Sequence, residues 1–154
     1  MENIPLSELI YINCDGEGEL KDFFRANGFK VVDTSHNPKY YSKDIDLIVT
    51  NPATNNTVNI EVKWDARVAD TNNLYIEIIN PRSKGGNGWY NFCEADFIYY
   101  GDSINRTFYI IKVKELKAYI ESNKKDLTIK VTFDGSYGYI VPVTEAPVFN
   151  TLKI

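Results

Sequence analysis

Asp46-Leu47-Ile48-Val49-Thr50 and Val58-Asn59-Ile60-Glu61-Val62-Lys63-Trp64 are the two runs that decide how this chain folds. Both are rich in β-branched residues. The segment between them, Asn51-Pro52-Ala53-Thr54-Asn55-Asn56, is dense in turn formers, so the runs read as a hairpin-like pair of strands. Residues i and i+2 of a strand project to one face, which puts Glu61 and Lys63 side by side. The chain holds two other acid-x-Lys triplets, Glu19-Leu20-Lys21 and Glu115-Leu116-Lys117. Both lie in stretches of helical periodicity, where i and i+2 point to different faces. Asp46, Glu61 and Lys63 thus stand apart. Two carboxylates and one lysine at the ends of neighbouring strands are what is needed to hold a divalent cation beside a phosphate and to stabilise the charge that develops on it.

Working outward, Leu20, Phe23 and Phe24 recur at helical spacing between Glu17 and Ala26, and Asn27-Gly28 supplies the stop signal. A strand is expected at Phe29 to Val32, then a loop from Asp33 to Asp44. Further strands are expected at Leu74 to Ile79, Asp96 to Tyr100, Thr107 to Lys112, Leu127 to Phe133 and Tyr139 to Val143. A short helix from Trp89 to Glu94 and a longer one from Val113 to Asn123 complete the pattern. The run Asn80-Pro81-Arg82-Ser83-Lys84-Gly85-Gly86-Asn87-Gly88 is too irregular for an element and reads as a cationic loop. The expectation is one α/β domain over residues 1–154, a mixed β-sheet flanked by helices.

The whole chain sets bounds on this. Its 154 residues with 44% hydrophobic content suffice for one buried core and not for two ordinary domains. No run reaches the length of a membrane span, and Met1-Glu2-Asn3-Ile4-Pro5 lacks the basic-then-apolar pattern of a signal peptide, so a cytoplasmic location is expected. The formal charge of −4 excludes a uniformly basic surface of the kind that binds nucleic acid by bulk attraction. It leaves room for a carboxylate site with cations along one groove. Eleven tyrosines, eight phenylalanines and two tryptophans fall mostly in strand-like runs, where packing is their expected role.

The ordered set of Glu17 on the first helix, Asp46 at a strand start and Glu61-x-Lys63 on the next strand resembles the PD-(D/E)XK nuclease superfamily, with its restriction-endonuclease-like core. In archaeal Holliday-junction resolvases a helix-one glutamate precedes the Gly-Phe that ends the helix by about three turns. Glu17 holds that place relative to Gly28-Phe29, while Glu19 lies on a different face. Asp46 takes the place of the family aspartate; Asp44 sits before the strand and fits less well. Ile45 stands where the family name has proline. Thr71-Asn72-Asn73-Leu74-Tyr75-Ile76-Glu77, Gly88-Trp89 and Ala95-Asp96-Phe97 also resemble small members of this superfamily carried by bacteriophages and mobile elements, whose host would be a bacterial cell.

The resemblance implies a Mg²⁺-dependent endonuclease, with Mn²⁺ able to substitute, that cuts duplex or branched DNA by in-line attack and leaves a 5′-phosphate and a 3′-hydroxyl. Asp46, Glu61 and the backbone carbonyl of Val62 would seat the cation, which prefers oxygen ligands and keeps several waters. Lys63 would stabilise the developing charge or assist deprotonation of water. Glu17 or Glu77 would hold a second cation or orient a water. Lys39, Tyr41 and Lys43, just before Asp46, and Arg82 and Lys84 in the Gly-rich loop are the candidate nucleic-acid contacts. Since one such site cuts one strand, a homodimer is expected. The rival expectation is a DNA- or protein-binding module that keeps the nuclease fold without catalysis.

Overall fold

In the computed structural model, which describes residues 16–154, helix α1 spans Gly16–Ala26 and buries Leu20 and Phe24 one turn apart on its inner face. Its end is set by Gly28 at φ +84°, a left-handed position that glycine adopts without strain. There the N–H groups of Gly28 and Phe29 donate to the Arg25 and Phe24 carbonyls and satisfy the last turn. The chain continues through β1 (Lys30–Asp33), α2 (Pro38–Tyr41), β2 (Leu47–Thr50), β3 (Thr57–Asp65), α3 (Val68–Thr71) and β4 (Asn73–Ile79). It is completed by α4 (Trp89–Phe92), β5 (Phe97–Asp102), β6 (Thr107–Lys112), α5 (Val113–Asn123), β7 (Thr128–Val131), β8 (Tyr137–Pro142) and β9 (Val148–Lys153).

Six of these strands form a mixed sheet in the order β1-β2-β3-β5-β6-β9. β3 and β5 run parallel, and the other neighbours are antiparallel. The expected β2–β3 hairpin is present, with Leu47 opposite Ile60 and Thr50 opposite Thr57. One sheet face packs on α1, where Leu20, Phe24, Leu47, Val49, Ile60, Val62 and Phe108 form a core. The other carries α4 and α5, with Ile98, Tyr100 and Ile111 against Trp89, Leu116 and Ile120. A mixed sheet flanked by helices is therefore the architecture.

Besides the short helix α2 inside the expected loop from Asp33 to Asp44, two larger features depart from the expected layout. β4, β7 and β8 leave the main sheet and form a three-stranded antiparallel sheet of their own, ordered β4-β8-β7. β9, which the strand pattern did not suggest, pairs with β6 at the edge of the main sheet. The two sheets are tied by Tyr100. Its buried hydroxyl donates to Asp65 Oδ2 at 3.1 Å and accepts the N–H of Tyr75 at 3.1 Å. No helix among the described residues is long and apolar enough to cross a membrane.

Candidate functional site

Alternation along β3 sends Ile60 and Val62 into the core under α1 and turns Glu61 and Lys63 to the opposite face. Glu61 is only 3% exposed, among the most buried charged groups described. Such a carboxylate is tolerated only if paired, and its Oε1 accepts a hydrogen bond from Lys63 Nζ. The same ammonium lies 3.4 Å from Asp44 Oδ2 and 5.2 Å from the centre of the Trp89 ring. Trp89 is buried in the core and forms one wall of the site.

Asp46 sits just ahead of β2, and its own N–H donates to the Ile60 carbonyl, which fixes it beside β3. Its Oδ2 accepts the N–H of Val62 at 2.9 Å. Asp44 reaches the cluster from the turn after α2, in a left-handed conformation (φ 54°) that aspartate tolerates better than most residues. The sequence pattern favoured Asp46 over Asp44. In the structure Asp44 stands with Glu61 and Lys63, and Asp46 sits next to them against the strand backbone. The i, i+2 spacing of Asp44 and Asp46 was the available signal, hidden because Asp44 precedes the strand proper.

The electrostatics are those of a site short of positive charge. Burial pushes Glu61 well above the ordinary carboxylate range; Lys63 opposes this, while Asp44 and Asp46 add to it. Asp44 is raised for the same reasons, burial first, against the pull of Lys63. Burial by itself would lower the Lys63 ammonium, but Glu61 and Asp44 outweigh it and hold it above its ordinary value. Glu17, on the first turn of α1, is raised by burial and then by Asp46 and Asp33. It therefore lies within electrostatic reach of Asp46.

The remaining candidates are placed elsewhere. Glu77, on β4, accepts a hydrogen bond from Asn80 Nδ2 at 3.3 Å and acts on Tyr75 rather than on Glu61, Asp44 or Lys63. Lys39 covers the Tyr40 ring, Tyr41 is 73% exposed, and Lys43 pairs with Glu94 at 3.3 Å. All three belong to the segment that ends in Asp44. Arg82 is exposed and pairs with Asp134 at 3.8 Å. The side chain of Lys84 lies outside the described residues.

Whether this constellation suits a hard cation can be judged from its oxygens. Glu61 Oε2 is buried without a hydrogen-bond partner and the buried Asp44 Oδ2 faces the Lys63 ammonium at 3.4 Å, and carboxylate oxygens in excess of cationic groups are what Mg²⁺ takes. Among the described residues no group of three or more His, Cys, Asp or Glu side chains is placed to hold a metal ion by itself. A cation here would complete its shell with backbone oxygen and water, as Mg²⁺ commonly does. The donor chemistry, oxygen only and beside one lysine, is the kind such an ion takes.

No protein-family model matches the chain, and no curated protein matches it. Among solved structures it is similar to a nuclease from a fusselovirus, at 12% identity and a TM-score of 0.44, over 96% of this chain and 90% of that one. A likeness that distant decides neither ancestry nor chemistry.

Proposed function

We infer that this chain is a metal-dependent DNA endonuclease of the PD-(D/E)XK kind, with a restriction-endonuclease-like core and a phage or mobile-element origin. The observation that carries the reading is the cluster of Asp44, Asp46, Glu61 and Lys63 at adjoining strand ends, with Glu61 only 3% exposed and its Oε2 left without a hydrogen-bond partner. Asp46 and Glu61 would hold Mg²⁺ or Mn²⁺ with the Val62 carbonyl, and Asp44 is a further oxygen donor at the same place. When bound, the ion supplies positive charge that polarises a phosphoryl oxygen and eases ionisation of water. Lys63, anchored by Glu61 and Asp44, offers its remaining N–H and its charge to the phosphate as negative charge develops there. Glu17 would act through Asp46 and orient a water.

One observation favours the rival reading of a non-catalytic module: Lys63 is already engaged by two carboxylates, so the cluster could serve as a closed ion-pair network. Supercoiled plasmid incubated with Mg²⁺ or Mn²⁺ separates the two. The endonuclease reading expects nicking or linearisation that falls by at least about a hundredfold in both Lys63→Ala and Glu61→Ala. DNA binding without cutting under either metal would favour the module instead. End-labelling of the products tests for the 5′-phosphate and 3′-hydroxyl, and light scattering on the DNA-bound protein tests for a homodimer. A host-cell cytoplasm is the compartment this chemistry suits.

A further inference from the structure

The outer face of the second sheet lines a cavity. Asn73, Tyr75 and Glu77 of β4 lie in register with Pro142, Ile140 and Gly138 of β8, and Lys130 of β7 continues the row beside Gly138. Asp65 and Arg67 wall one side and the turn 132–136 the other, enclosing an open cavity of about 720 Å³. Asp65 shares its strand face with Lys63, two residues earlier on β3, which puts this wall of the cavity two strand positions from the candidate site.

Three observations say what it would take. Its acids are occupied internally: Asp65 accepts from Tyr100 Oη and the Arg67 N–H, Asp134 from Thr132 and Ser136, and Glu77 from Asn80. Its cations Arg67 and Lys130 are exposed and form no ion pair within the described residues. With the three acids held in these internal hydrogen bonds, Arg67 and Lys130 are the lining groups free to turn toward a phosphate. Second, Phe133 is fully exposed at the tip of the turn, where water would normally exclude a phenyl ring. The turn that carries it is fastened by Thr132 N–H to Ser136 O at 2.8 Å and Gly135 N–H to Thr132 O at 3.0 Å. The ring is thus held out at little entropic cost on binding. Third, two buried hydroxyls lining the cavity, Tyr75 Oη and Ser136 Oγ, have no partner, and Ser136 is 3% exposed.

We propose that this groove binds an unpaired polynucleotide strand beside the carboxylate site, with Arg67 and Lys130 on its phosphates, Phe133 stacked on a base, and the Tyr75 and Ser136 hydroxyls meeting base edges. This rests on the nuclease reading and names its substrate feature: a single-stranded stretch next to the scissile phosphate. Fluorescence anisotropy with a labelled oligothymidine, in chelator so that no cutting intervenes, tests it. Phe133→Ala is expected to weaken binding about tenfold and Phe133→Tyr to restore it, as for an aromatic stacking platform. The Arg67→Ala/Lys130→Ala pair is expected to flatten the slope of log affinity against log salt by about 1.4, the loss of two phosphate contacts to a single strand. All three side chains are exposed, so folding should survive; circular dichroism checks this.

No measurable oligothymidine binding by the wild type, unchanged binding in Phe133→Ala, or a preference for blunt duplex would each overturn the proposal. An oligouridine arm decides between DNA and RNA strands. Plasmid cutting measured alongside keeps the two readings apart. Cutting without Phe133-dependent binding removes the groove and leaves the nuclease; Phe133-dependent binding without cutting removes the nuclease.

Discussion

At the scale of single residues, the decisive quantity is the charge balance around Lys63. Three carboxylates, Asp44, Asp46 and Glu61, face one ammonium, and burial raises two of them. A divalent cation would relieve that imbalance, so ligand binding should appear as stability. If the site holds Mg²⁺ with a dissociation constant of about 1 mM, 10 mM Mg²⁺ should raise the melting temperature by roughly 3 to 6 °C. Glu61→Gln should abolish the shift while leaving the fold intact, as read by scanning fluorimetry. An equal shift in the variant would mean that the ion binds elsewhere. The pairing of Glu61 and Lys63 was legible from strand parity alone. Asp44 was not, because its approach depends on a left-handed turn after α2 that no periodicity reports.

At the scale of elements, the question is why β4 abandons the main sheet, and Tyr100 supplies much of the answer. Its ring is buried in the core, and its hydroxyl holds the end of β3 and the backbone of β4 at once. Tyr100→Phe leaves the Asp65 carboxylate and the Tyr75 N–H without that partner in a water-poor place. This should cost about 1 to 3 kcal/mol, measured by urea denaturation. A loss below about 0.5 kcal/mol would show that the two sheets hold together through apolar packing alone. The same principle explains the glycine at position 101. A Cβ there would lie 2.1 Å from Trp64 Cε3, so the indole occupies the space a side chain would need. The strands themselves were readable as alternating or β-branched runs. Their partition into two sheets was not, since it depends on contacts such as Leu74 with Val141, far apart in sequence.

At the scale of the whole molecule, the buried acids set the pH behaviour. For Glu17, Asp44 and Glu61 the folded values are raised, so the unfolded chain releases these protons first. Their contribution is most favourable below the unfolded carboxylate values near pH 4, and it declines as pH rises until the folded values are passed. Asp33 runs the other way. Hydrogen bonds from Lys21 and Ser35 lower it to about 2, so its contribution is present above about pH 4 and is lost as pH falls toward 2. Partial exposure of that pair keeps the effect under about 1 kcal/mol. Without divalent cations, urea midpoints should therefore peak near pH 4 to 5 and fall toward neutrality, and Glu61→Gln should flatten the neutral limb. A wild-type maximum above pH 7 in chelator would contradict the buried-acid account.

The sequence by itself determined the local alphabet: helix α1 with its glycine stop, the β2–β3 hairpin, helix α5, and the common face of Glu61 and Lys63. Each of these follows from side-chain period and turn chemistry within a dozen or so residues. Tertiary structure alone decided that Asp44 joins them, that Glu77 is carried away to another sheet, and that β9 closes the edge of the first. It also decided that Phe133 lines a cavity whose wall includes Asp65, two positions along β3 from Lys63. Those outcomes depend on hydrogen bonds and packing between segments tens of residues apart, for which a linear pattern carries no period to read.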